Sequence, residues 1–248
     1  MDNGWDASAA AWIAQQGEEG DFGRQYVLDR PMQARVLDRG FRQALDVGCG
    51  EGRFCRFLRA NGIDAIGIDP TEELLAEARS RDPAGDYRLG TAEALPFADT
   101  SFDLIVSYLT LIDIDDVATA IAGMARVLRP GGTLLIANLT SFSTAVEEDE
   151  IRLEQGLPLT GWIEDGDGRR LAFAMDRYLE PRSMWVAWRG IRIRNWHRPL
   201  STYMRLLLDA GLVLRHFDEP APLAADHPRA DGYRRAPWFL IMEWQKPG

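Results

Sequence analysis

The chain has 248 residues, 46% of them hydrophobic and 27% charged, and a formal net charge of −10. That length buries a sizeable core as one larger domain, or as one domain with an inserted cap, and the composition is that of a soluble globular protein. An acidic balance repels polyanions, so nucleic acid is not an expected partner. No apolar stretch approaches membrane-spanning length, and the acidic N-terminus lacks the basic region and apolar run of a signal peptide, so no membrane insertion is expected. Cys49 and Cys55 form neither a metal-ligand spacing nor a disulfide framework. No metal is therefore expected, and the thiols suit a reducing, cytoplasmic setting.

The apolar run QALDVG (43–48) reads as a buried strand, followed by a helix over 53–62 that closes on glycine. DAIGID (64–69) reads as a second strand and 71–82 as a helix, with Thr71 at its N-cap, acids in its first turn and Arg in its last. Residues 86–90 and 102–109 give two more strands, 113–132 a long helix stopped by Pro-Gly-Gly, and 133–140 another strand. A helix over 199–211 and strands over 212–220 and 238–245 resume the alternation. The spacing predicts an α/β fold built on a parallel sheet with helices on both faces. Residues 141–198 break the rhythm. Their β-type composition predicts antiparallel strands inserted above the C-terminal edge of the sheet, where open α/β sheets bind ligands, as a β lid.

Three glycines at alternate positions, Gly48, Gly50 and Gly52, follow the first strand in ALDVGCGEGRF. A glycine-rich turn opening a helix can cradle a phosphate, hold another ligand, or only bend the chain. Asp69 ends the second strand, 17 residues beyond Gly52, where an acid accepts hydrogen bonds from ribose hydroxyls. Arg53 occupies the position of the last glycine of a dinucleotide fingerprint, and no Gly-Lys-Ser/Thr follows.

At this point the chain resembles the class I S-adenosylmethionine-dependent methyltransferases. LDVGCGEGRF (45–54), GIDP (67–70), GTAEALPFADTSFDLIV (90–106) and RVLRPGGTLLIA (126–137) carry the resemblance, in that order and at about the family's spacing. Within the family it looks most like the small-molecule enzymes of the ubiquinone/menaquinone-biosynthesis-like group. The resemblance implies a Rossmann-like, seven-stranded, mostly parallel sheet with an antiparallel last strand, in a single domain over 1–248. An N-terminal helical cap (1–40), a cofactor-binding core (41–140), the inserted lid (141–198) and the C-terminal part of the core sheet (199–248) compose it. It implies S-adenosyl-L-methionine as cofactor, with Gly48, Gly50 and Gly52 lining the methionine moiety and Asp46 orienting its ammonium group. Asp69 would hold the ribose, and Pro70 and Ala92 would lie near the adenine. The family's adenine-binding acid aligns with Thr91, a departure that leaves the contact to Glu93 or a backbone carbonyl. Ser107 and Tyr108 would pass beside the sulfonium, a cation that aromatic faces attract. Tyr26 or Arg30 of the cap would touch the methionine carboxylate.

Methyl transfer demands few residue types, so the acceptor side is less legible. His197, with an unperturbed pKa of about 6.5, is the candidate base; capping the following helix or bonding a carbonyl is the alternative. Trp162, Trp185, Trp188, Trp196, Phe173 and Tyr178 build either a flat pocket for an aromatic acceptor or the insert's own core. Five arginines between 182 and 198 either attract an anionic acceptor or form a solvated face. DGDG (165–168) reads as a hairpin turn rather than a calcium loop, because Arg169 stands where a ligand is needed. The expected function is methyl transfer to a small molecule, with oxygen favoured over nitrogen or carbon, in a monomer or homodimer. A dinucleotide-dependent oxidoreductase and a catalytically silent scaffold are the alternatives.

Overall fold

A computed structural model describes residues 3–146 and 160–248. Residues 147–159 of the inserted segment lie outside the described residues. In chain order the elements are α1 (Trp5–Gln16), α2 (Asp29–Ala34), β1 (Gln43–Val47), α3 (Arg53–Ala60), β2 (Asp64–Asp69), α4 (Glu72–Arg81) and β3 (Asp86–Leu89). There follow β4 (Phe102–Tyr108), α5 (Val117–Val127), β5 (Leu128–Leu139), α6 (Ser141–Thr144), β6 (Gly161–Glu164) and β7 (Arg170–Ala174). The chain ends with β8 (Arg182–Trp188), β9 (Ile191–His197), α7 (Leu200–Asp209), β10 (Val213–Asp218), α8 (Ala230–Arg235) and β11 (Phe239–Gln245). A π-helical turn, Arg24–Leu28, leads into α2.

Seven strands form one sheet, as the resemblance implies, and their order is β10-β11-β5-β4-β1-β2-β3. β11 runs antiparallel to both its neighbours, and the β1, β2, β3, β4 and β5 pairings are parallel. Because helices cover both faces, the central strands carry near-continuous buried runs, such as Leu104, Ile105 and Val106, rather than an alternating pattern. Ile105 of β4 points into a core with α5 and α7, while Leu104 and Val106 point to the opposite core with α3 and α2. The strand order reverses between β1 and β4, and a crevice opens outside the C-terminal ends of those strands.

The insert supplies two separate antiparallel hairpins, β6–β7 and β8–β9. Asp165 closes the first by accepting from the backbone N–H groups of Asp167 and Arg169, so DGDG is a turn. Two expectations need correction. The helix expected from residue 113 starts at Val117, because the Asp116 carboxylate accepts from the Thr119 N–H and caps it there. Thr71 stands at the N-cap of α4, but makes no side-chain cap; its N–H donates to Asp69 instead.

Candidate functional site

The glycine turn joins β1 to α3 at one wall of the crevice. Gly48 has φ +74, and a Cβ there would stand 2.2 Å from Cγ2 of Thr110, in the loop after β4. Gly52 has φ +77, and a Cβ there would meet the Tyr87 ring at 2.6 Å. Both conformations favour glycine, and both approaches exclude a side chain. Gly50 faces open space. Four N–H groups of the turn are spent inside the chain: those of Gly48 and Cys49 on the Ile68 carbonyl, Gly52 on the Cys49 carbonyl, and Gly50 on Asp69 Oδ2 at 2.9 Å. A phosphate cradle needs such groups free. This turn therefore offers shape and carboxylates rather than an anion site.

The cavity against the turn has a volume of about 1170 Å³. That is at the upper limit for one drug-sized ligand, and leaves room for two reactants. Of the residues expected to bind cofactor, Asp46, Gly48, Gly50, Asp69, Pro70, Thr91, Ala92, Glu93 and Tyr108 line it. Three do not. Gly52 is taken up by packing on Tyr87. Ser107 is fully buried inside the sheet. Tyr26 stacks on Phe22 and His227 outside the cavity, and Arg30 is also absent from the wall. The cap reaches the crevice through Trp5, Trp12, Gln16 and Arg24 instead.

His197 is the main correction. It is 0% exposed and does not line the cavity. Its Nε2 lies 2.8 Å from the Tyr178 carbonyl and must donate to it, which leaves Nδ1 to accept from the Thr144 hydroxyl at 2.9 Å. Burial holds its pKa below the usual histidine value. With both nitrogens engaged, it fastens the end of β9 and has no lone pair for a substrate proton. The insert's aromatics divide likewise: Trp188 lines the cavity, whereas Trp162 and Phe173 pack edge to face with Trp238 beyond them. The arginines are mostly committed. Arg192 lies over Trp185 at 4.1 Å, and buried Arg198 donates to the carbonyls of Leu111, Ile114 and Asp115.

Charge sets the character of the crevice. Among the described residues, eight carboxyl side chains and three arginines line it. Asp46 is 1% exposed; its Oδ2 accepts from Cys55 Sγ at 3.4 Å and its Oδ1 has no partner. Burial, reinforced by Asp69 and Glu51, pushes its pKa up to about 7. Burial also raises Asp69, against the N–H groups of Thr71 and Gly50. Tyr108 turns its ring to the cavity and donates its hydroxyl to Asp29 at 2.7 Å, and Arg53 grips both Asp29 oxygens. An orphaned buried carboxylate beside an open glycine fits a ligand with an ammonium group, and the acid excess fits one of net positive charge. S-adenosylmethionine has both properties; a dinucleotide's pyrophosphate would meet like charge.

Two residues escape sequence reasoning, Asp113 and Asn195. Both line the cavity, and Asn195 Nδ2 donates to Asp113 Oδ1. The one legible signal was the D-x-x-T cap at Asp116, which removes Asp113 from the helix.

Sheet order, switch-point crevice and glycine turn together define an S-adenosylmethionine-dependent methyltransferase fold. Residues 45–136 match the family described as methyltransferase domain. A malonyl-[acyl-carrier protein] O-methyltransferase of Enterobacter lignolyticus is 38% identical over 112 residues, 45% of this chain and 45% of that protein. The O-methyltransferase resE of Aspergillus sclerotiorum is 37% identical over 119 residues, 45% of each. The chain thus spans about half the length of these relatives. The crystal structure of an S-adenosylmethionine dependent methyltransferase from Mesorhizobium loti superposes with a TM-score of 0.74 at 27% identity, over 92% of this chain and 100% of that one. Residues 45–136 thus carry a methyltransferase domain, and the chain has the fold of S-adenosylmethionine-dependent methyltransferases.

Proposed function

We propose that the protein transfers the methyl group of S-adenosylmethionine to an oxygen atom of a small molecule. The observation that carries this reading is the turn itself: four of its N–H groups are spent, Gly50 is open, and Asp46 and Asp69 line a cavity with room for a second reactant. The donor brings a methyl group on a cationic sulfur, activated toward displacement.

The chain's residues then hold and shield the reactants. Asp46 receives the ammonium group at its unpaired oxygen, and Asp69 receives the ribose hydroxyls. Pro70 and Ala92 flank the base, with Glu93 beside the Thr91 position where the family has an acid. The Tyr108 ring meets the sulfonium side, and Trp5 and Trp12 exclude water from the mouth. The two similar O-methyltransferases support oxygen as the methylated atom. The described residues include no helix long and apolar enough to cross a membrane. Buried Cys49 and Cys55, both free, support a reducing cytoplasm, in which the protein works as a monomer or homodimer on a diffusible acceptor.

Isothermal titration with S-adenosylhomocysteine and, separately, with NADH tests the donor. Saturable binding of the first alone is expected. Binding of NADH alone would overturn the reading in favour of an oxidoreductase.

A further inference from the structure

Beside the glycine turn, side chains from three distant segments line the cavity and converge on Asp113. Leu109, just past β4, has φ +59, which turns the chain so that residues 109, 110 and 112–115 run along the cavity. Arg198, 5% exposed, pins this loop through the carbonyls on both sides of Asp113. Asn195, 7% exposed on β9, donates to Asp113 Oδ1, and the Trp5 indole of α1 faces the same carboxyl group. An amide and an indole orient a carboxylate without neutralising it. The arginines of the cavity are engaged elsewhere: Arg24 with Asp21 at 3.0 Å, Arg53 with Asp29 at 2.7 Å, and Arg194 with Asp115 at 3.6 Å.

We infer that Asp113 takes up the acceptor's proton, so the acceptor enters as an uncharged hydroxyl compound rather than as a ready-made carboxylate. This rests on the methyl-transfer reading above. The acceptor oxygen attacks the methyl carbon, a C–O bond forms as the C–S bond breaks, and the bonding pair leaves on sulfur. The hydroxyl proton passes to the Asp113 carboxylate, which balances the step without a further reactant. A carboxylate acceptor has no proton to give, and would enter a cavity whose carboxyl groups outnumber its arginines.

The surroundings suit the task. Removal from water raises the Asp113 pKa well above the usual carboxylate value, and the Asp69 charge adds to this, while Asn195, Arg24 and Trp5 oppose it. Asp6 of α1, Asp115 and Arg194 share the wall, and the Tyr203 hydroxyl of α7 lies within electrostatic reach. A cationic donor in the same cavity lowers the Asp113 pKa again and leaves a carboxylate of raised basicity beside the acceptor.

The test uses the full chain, radiolabelled S-adenosylmethionine and three probes of one shape: 2-naphthol, 2-naphthoate and 2-naphthylmethylamine. Wild type is expected to methylate 2-naphthol in preference to the others, with kcat/KM rising with pH along an acid limb. In Asp113→Asn, kcat falls at least a hundredfold and the limb disappears, while affinity for S-adenosylhomocysteine stays within threefold; Asp113→Glu recovers part of the rate and the limb. Preferential transfer to naphthoate or to the amine overturns the inference. So does an Asp113→Asn variant that keeps its rate within tenfold and its pH limb. Binding of S-adenosylhomocysteine with no transfer to any probe overturns the acceptor inference and leaves the donor assignment standing. Failure to bind S-adenosylhomocysteine removes the methyl-transfer reading itself.

Discussion

The two walls of the crevice are built on opposite principles. The wall proposed to hold the donor is largely backbone: one turn, two strand ends carrying Asp46 and Asp69, and glycines whose missing side chains shape the space. The wall proposed to hold the acceptor is side chain: Trp5 from the first helix, Asp113 from the loop after β4, and Trp188 and Asn195 from an inserted hairpin. A wall of backbone is specified by a few contiguous residues and tolerates little change. A wall assembled from remote segments can be altered one residue at a time while the fold persists, which lets one fold serve many acceptors.

The sharpest way to break this contrast is Gly48→Ala. The new methyl group would overlap Thr110 and force a left-handed alanine. Donor affinity is expected to fall at least about a hundredfold, roughly 2.7 kcal/mol, by titration with S-adenosylhomocysteine. An affinity within threefold of wild type would show that the wall is less dependent on backbone than described.

Asp46→Asn separates ligand binding from stability on the donor wall. The Asp46 pKa is raised in the folded protein from 3.8 to about 7. Between those values the unfolded chain has lost the proton that the folded chain keeps, so stability falls as pH rises, and levels off above about pH 7. In the ligand-free protein, Asp46→Asn is expected to be more stable by roughly 1–3 kcal/mol at pH 8, with the gain shrinking to nothing near pH 4. Donor affinity falls about tenfold or more in the same variant, as a charge-assisted hydrogen bond is lost. Denaturant melts across pH check the first part; a gain that did not depend on pH would contradict it.

His197→Gln has the smallest expected effect on catalysis. Turnover is expected to stay within about twofold with an unchanged pH profile, while the melting temperature drops by a few degrees for the loss of about 1 kcal/mol of buried hydrogen bonding. A lost pH limb would restore His197 as a base and remove the contrast between a fastening histidine and the working wall.

The same division explains what was legible in the sequence. The seven strands and the donor turn could be read because their signals are local: apolar runs, terminal glycines, and Asp69 at a strand end. Tyr108 and Asp46 follow from their place in those strands. The acceptor wall could not be read. Asp113 and Asn195 lie 82 residues apart and meet only when the hairpin returns to the core. His197 misled because its type suits proton transfer, and only its burial against Tyr178 and Thr144 shows that both nitrogens are used. In the cap, aromatic and arginine content was visible, but not which side faces inward; α1 and the π-helical turn bring Trp12 and Arg24 to the cavity and leave Tyr26 outside.

Hydrogen bonds between the first helix and the inserted hairpin tie two remote parts of the chain together. The Ser8 hydroxyl donates to the Arg192 carbonyl and accepts from the Arg192 N–H, stitching α1 to β9, and the Asn3 carbonyl accepts from the Arg194 N–H one residue pair further on. Helix and hairpin are thereby fastened to each other on one side of the crevice. Each of the three bonds joins segments more than 180 residues apart in the chain, so the position of α1 over the crevice depends on β9 being folded.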